Sequence, residues 1–175
     1  MIEANGVKLR AVELSDVDLL YEWENDQSLF AVGNPTSPYS KYQLKKFVES
    51  SSGDLYEDRQ LRLIIEAQID LQWRVVGIID AFEFDPFHLR AGIGILIHKN
   101  FQQKGYASEA LKIFSRFLFS KWNLHQLYAT IEITNSASRL LFVSNDFKEI
   151  GVRREWLKTA KGYLDAVDYQ LIAEQ

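Results

Sequence analysis

The stretch Gly92-Ile93-Gly94-Ile95-Leu96-Ile97-His98-Lys99-Asn100-Phe101-Gln102-Gln103-Lys104-Gly105-Tyr106-Ala107 constrains this chain most. An apolar run of strand length passes into a polar turn holding a glycine. The apolar residues that follow, Ala107, Ala110, Leu111, Phe114, Phe117 and Leu118, recur at helical spacing. A buried strand, a tight turn and an amphipathic helix are therefore expected in that order. Such a joint aims several backbone N–H groups at one point, at the positive end of a helix. It suits a pyrophosphate. Gly105 would let the backbone approach phosphate with no Cβ in the way.

The rest of the chain surrounds this joint with alternating elements. Val7 to Val12 reads as a first strand. Ser15-Asp16-Val17-Asp18 resembles a capping box, and a helix is expected through Leu19, Leu20 and Trp23. Gly33-Asn34-Pro35-Thr36-Ser37-Pro38 breaks the chain, and Ser40 to Ser51 reads as a second helix. Leu61 to Ile69, Arg74 to Phe84 and Arg90 to His98 read as strands. Gln126 to Thr134 alternates as a strand should, Ser136 to Asn145 reads as a short helix, and Glu149 to Leu157 with Asp165 to Ile172 form two last strands. The order predicts a mixed α/β sheet with helices on both faces.

The length of 175 residues suits one domain, expected to span 1–175. The longest apolar runs are too short to cross a bilayer. Met1 to Asn5 lacks the features of a signal peptide, so a cytoplasmic protein without membrane partners is expected. There is no cysteine, hence no disulfide and no thiol nucleophile. His88, His98 and His125 share no metal-ligand spacing, and no metal is expected. A net charge of −4 disfavours nucleic acid as a partner. The charge is uneven: residues 1–60 carry 11 acidic and 6 basic side chains, residues 61–175 carry 13 and 14. The first third would attract a cation, or those carboxylates are solvated helix faces.

Gln102-Gln103-Lys104-Gly105-Tyr106-Ala107 matches the Q/R-x-x-G-x-G/A signature of the GNAT superfamily of acyl-CoA-dependent N-acyltransferases. Asn135-Ser136-Ala137-Ser138-Arg139-Leu140-Leu141-Phe142 with Asp146-Phe147 resembles its second motif. The resemblance covers nearly the whole chain. The segments Leu9 to Asp26, Val76 to Ala91 and Gly151 to Ile172 resemble the branch holding spermidine and ribosomal-protein N-acetyltransferases.

The resemblance implies an α/β (α+β) fold with a mixed, mostly antiparallel central sheet. It implies acetyl-CoA as cosubstrate. Backbone of Ile95, Leu96 and Ile97 would pair with the pantetheine arm, and amides from Gln103 through Lys104, Gly105 and Tyr106 to Ala107 would hold the pyrophosphate, with Gln102 opening the motif. Asn135 would hydrogen-bond the arm and Ser138 would line the groove. A primary amine would attack the thioester directly. The acceptor would be a polyamine such as spermidine or, alternatively, a protein N-terminus, and a homo-oligomer is compatible with the pattern. Glu83 is the candidate base and Asp80 the second choice; Glu83 reads equally as a contact for a cationic substrate.

Three positions depart from the family pattern. Phe142 stands where a Tyr often protonates the departing thiolate, and Phe has no proton to give. This keeps open a CoA-binding sensor or scaffold without catalysis. Gly92 stands where relatives in this branch commonly carry Glu; the room could serve one pantetheine face, or a substrate-binding carboxylate is missing. Asp146 replaces a Gly, at a position where Asp tolerates a left-handed backbone.

Overall fold

The computed structural model describes residues 2–26 and 38–173. The expected break at Gly33 to Pro38 lies, except for Pro38, outside the described residues.

Among the described residues fifteen segments follow one another as β1 (Ile2–Ala4), β2 (Val7–Ala11), a 3-10 turn at Leu14–Asp16, α1 (Val17–Glu24), α2 (Lys41–Ser50), α3 (Leu55–Asp58), β3 (Leu61–Ile69), β4 (Gln72–Asp85), β5 (Arg90–Ile97), a 3-10 turn at Lys99–Phe101, α4 (Tyr106–Trp122), β6 (Gln126–Glu132), α5 (Ser136–Val143), β7 (Lys148–Thr159) and β8 (Gly162–Ile172). The strands form one eight-stranded sheet in the order β1-β2-β3-β4-β5-β6-β8-β7. Every pairing is antiparallel except β5 with β6. The mixed, mostly antiparallel sheet is thus the one expected.

Local chemistry explains the ends of the elements. Asn5 and Gly6 have φ of 48° and 72°, which is what a two-residue turn of I′ type needs to join β1 to β2. Ser40 opens α2 with a capping box: its hydroxyl accepts from the Gln43 amide at 3.1 Å, and the Gln43 side chain accepts from the Ser40 amide at 2.8 Å. The box expected at Ser15 to Asp18 is not the one formed. Asp16 instead turns back and accepts from the Glu13 amide at 2.8 Å, because the same carboxylate is held by Arg10.

Alternation along the strands divides the apolar residues between two layers. Leu63, Ile65, Ile79, Ala81, Ala91 and Ile93 face α4 and pack with Leu111, Phe114 and Leu118. Ile64 and Ile78 face the other way, onto Leu20 and Trp23 of α1 and Leu44 of α2. Helices therefore cover both faces. Each fully buried Leu or Phe contributes about 2 kcal/mol relative to exposure, so the stripe on α4 is a principal term. At the far edge β7 is exposed along most of its 12 residues.

Candidate active site

The sheet opens where the parallel ladder stops. β5 and β6 pair at Arg90↔Gln126, Ala91↔Leu127 and Gly92↔Tyr128, and no further. Beyond that fork β5 continues to Ile97, paired among the described residues with β4 alone. β6 turns away, paired with β8. One edge of β5 is left facing a cleft of about 660 Å³.

The cleft gathers the residues singled out from the sequence for a cofactor, while Glu83 and Asp80 are not among its lining residues. Ile95, Leu96 and Ile97 form one wall, Gln102, Gln103, Lys104, Gly105, Tyr106 and Ala107 its end, and Asn135 and Ser138 the opposite wall. Gln103 and Gly105 have φ of 60° and 83°, so the turn is left-handed at two points. Gly105 is the N-cap of the 17-residue α4, and no side chain caps it. A Cβ built on Gly105 would meet nothing within 4 Å. The glycine is needed for its backbone angle, and the open space lies outside it. An uncapped helix end beside open space fits a pyrophosphate. Gln102 braces the turn, donating from Nε2 to the Ile97 carbonyl at 3.0 Å.

The opposite wall is built by α5. The Asn135 side-chain oxygen accepts from the Ser138 amide at 3.0 Å and so caps α5, while the amide NH2 can be offered to a ligand. Ser108 in the first turn of α4 donates to Asn145 Oδ1 at 3.1 Å, and Asn145 donates to the Leu141 carbonyl at 2.7 Å. Phe142 points away from the cleft, 2% exposed and edge-on to Phe147 at 4.9 Å. Asp146 has φ 68°, the left-handed angle expected where the family pattern has Gly.

Glu83 lies at the fork. Between Phe82↔Gly92 and Asp85↔Arg90 the β4–β5 register slips, and Glu83 takes φ 50° in this bulge. Alternation is broken there. Phe84 is buried on the α4 side, while Phe82, two residues earlier, lies over Gly92 on the other side. The bulge lets the Glu83 carboxylate accept from the Tyr128 hydroxyl at 2.9 Å. Burial, then the hydrogen bond to Glu83, pushes the Tyr128 phenol up to about 12. Tyr128 is thus a neutral donor at physiological pH. Nothing in the sequence marked it, since its pairing opposite Gly92 appears only in the fold.

Gly92 is not an open space. A Cβ there would lie 2.5 Å from Phe82 Cε2. The Phe82 ring fills the room that the sequence left open to a pantetheine face. Asp80, the second candidate base, is engaged by Arg62 through Nε–Oδ1 at 2.5 Å, and the same guanidinium binds Glu24. Burial disfavours the Arg62 charge, but the two carboxylates outweigh it and hold its pKa above the usual value. His98 stacks on Trp23 at 5.4 Å, a packing role. Among the described residues no three His, Asp or Glu side chains cluster to hold a metal. No helix among them is long and apolar enough to cross a membrane.

A strand with one free edge, a left-handed turn and an uncapped helix leave room beside β5 for an extended, phosphate-bearing ligand. Residues 7–148 match the family model of the acetyltransferase (GNAT) domain, and the chain belongs to that family of acyl-CoA-dependent N-acetyltransferases. It is 29% identical over 139 residues to spermidine N(1)-acetyltransferase of Escherichia coli (strain K12), covering 77% of this chain and 69% of that one. The fold is also that of the spermidine N-acetyltransferase of Vibrio cholerae solved with CoA and spermine (TM-score 0.82, 20% identity, 95% of each chain). A dodecameric structure of the Vibrio cholerae enzyme matches with TM-score 0.79 at 21% identity, over 95% of this chain and 94% of that one.

Proposed function

We propose that this enzyme transfers an acetyl group from acetyl-CoA to a primary amine by direct attack in a ternary complex. The single observation that carries the reading is the course of the cleft. It starts at the turn 102–107 and runs along Ile97 to Ile95, and β5 itself leads on from there to the fork at Gly92, where Glu83 meets Tyr128. The amides at 103–107 hold the pyrophosphate, and the free edge of β5 pairs with the pantetheine arm as an added strand. Asn135 offers its side-chain NH2 to that arm and Ser138 lines it.

A primary amine has a pKa of about 10 and attacks only when neutral. Glu83 takes the proton, directly or through one water. Its carboxylate is exposed on the side away from α4 and, unlike Asp80, is not neutralised by a guanidinium. Phe142 takes no part, since it is buried in the core. A thiol of pKa about 8.5 leaves as thiolate without an obligatory acid.

A polyamine such as spermidine is the acceptor we favour. The relatives named above act on or bind polyamines, and residues 1–60 carry an excess of five acidic side chains. A protein N-terminus is the second reading. It is favoured by one observation: Glu24 and Asp80 are both tied to Arg62, which lowers the number of carboxylates free for a polycation. The exposed edge strand β7, with Ile150, Val152 and Trp156 about half exposed, supports assembly of several copies.

A thiol-release assay with acetyl-CoA against spermidine, spermine and peptide N-termini tests the reading. Turnover of peptides alone removes the polyamine acceptor. CoA binding with no turnover of any amine replaces the enzyme by a sensor.

A further inference from the structure

Tyr128 stands on β6 and Glu83 on β4, with β5 lying between them. A hydrogen bond between side chains two strands apart must pass over the middle strand. The residue of β5 under that crossing is Gly92, paired with Phe82 on one side and with Tyr128 on the other. Any side chain at 92 would enter this space, because a bare Cβ already falls within 2.6 Å of two Phe82 ring atoms. With no side chain there, the Phe82 and Tyr128 rings meet above the glycine edge to face, 6.4 Å between centroids and 76° apart. The aromatic contact fixes the phenol, and the phenol reaches Glu83 at 2.9 Å.

Glu83 needs such a fixed partner. It is an exposed side chain in a left-handed bulge, and a free carboxylate there would sample many rotamers. We propose that Tyr128 is a positioning residue that orients the Glu83 carboxylate towards the acceptor amine, and that Gly92 is the opening that allows it to do so. Tyr128 donates to Oε2, which leaves Oε1 as the oxygen that accepts the proton. The phenol keeps its own proton throughout, as its raised pKa requires. Glu83 at the bulge and Gly92 beneath the rings belong together: the first brings a carboxylate to the fork, and the second clears the path to the group that holds it.

This inference rests on Glu83 acting as the base. Steady-state rates with acetyl-CoA and the best amine of the panel test it. Tyr128→Phe keeps the ring and removes only the hydroxyl. We expect kcat to fall on the order of tenfold, the loss of one orienting hydrogen bond to a charged group, with the KM for acetyl-CoA unchanged. In a Glu83→Gln background the same substitution should cost less than about twofold, since a positioning effect needs the base it positions. Full kcat in Tyr128→Phe, or losses that multiply in the double variant, would overturn the proposal. Gly92→Ala is the second arm; its methyl should displace Phe82 and Tyr128 and give the same kcat loss, again only when Glu83 is present. Wild-type protein that turns over no amine sinks the enzymatic reading itself, an outcome distinct from an active Tyr128→Phe.

Discussion

Arg10 and Asp16 form a two-point ion pair, with Nη1 to Oδ2 at 2.7 Å and Nη2 to Oδ1 at 2.8 Å. The pair ties β2 to the turn that opens α1, and Asp16 is only 6% exposed. Burial alone would raise the Asp16 pKa. The hydrogen bonds from Arg10 and from the Glu13 amide outweigh it, and the net direction is down. A carboxyl with a lowered folded pKa stabilises the fold above its unfolded pKa of about 3.9, and that stability is lost as pH falls through the folded value. Asp16→Asn should therefore cost about 2 kcal/mol at pH 7. Urea unfolding at pH 7 and at pH 3 should show the gap between variant and wild type shrinking in acid. A gap that is constant or wider at pH 3 contradicts the assignment.

Glu83→Gln keeps the shape and the capacity to accept from Tyr128 but cannot take a proton. Acetylation should slow by about a hundredfold or more, the usual contribution of a general base. CoA affinity by calorimetry should not change, because Glu83 does not line the cleft. An unchanged rate would assign Glu83 to substrate contact alone.

Gly105→Val places a β-branched residue at φ 83°, a backbone angle that L side chains avoid, and puts methyl groups in the open cradle. CoA binding should weaken about tenfold or more, because strain of a few kcal/mol falls on the turn whose amides hold phosphate. Equal affinity in a calorimetric titration would contradict this.

Gly92→Glu places at 92 the carboxylate that the family resemblance leads one to expect, but here the Phe82 ring stands in its way. Alone it should destabilise the protein by about 1–3 kcal/mol through overpacking. Phe82→Ala in the same chain should recover much of that loss. Thermal unfolding of the two single variants and the double variant reads the compensation. Strictly additive losses would mean that Phe82 is not the obstacle.

Long periodic segments were legible from the residues alone. The apolar stripe of α4 and the run Ile93 to Ile97 have one reading each, and the turn between them lines the cleft. Four features escaped for physical reasons. The hairpin of β1 and β2 turns at Asn5-Gly6, but β1 spans only Ile2–Ala4, too short for alternation to be visible. The bulge at Glu83 breaks the period-two rule, so Phe82 and Phe84 read as one face and occupy two. The ion pairs of Arg62 join α1, β3 and β4 across large sequence separations, and nothing local in the chain marks which carboxylate an arginine will take. The same holds for Tyr128, whose partner lies 45 positions earlier.

The one-sided ladder of β5 past Gly92 has a thermodynamic consequence. A strand that lacks a neighbour on one flank is completed only by what enters the gap, so occupancy and folding form a single linked equilibrium. At a ligand concentration a hundred times its dissociation constant, such linkage adds about 2.7 kcal/mol to the unfolding free energy. Backbone amides facing the gap should then exchange with deuterium slowly when the gap is filled and rapidly when it is empty.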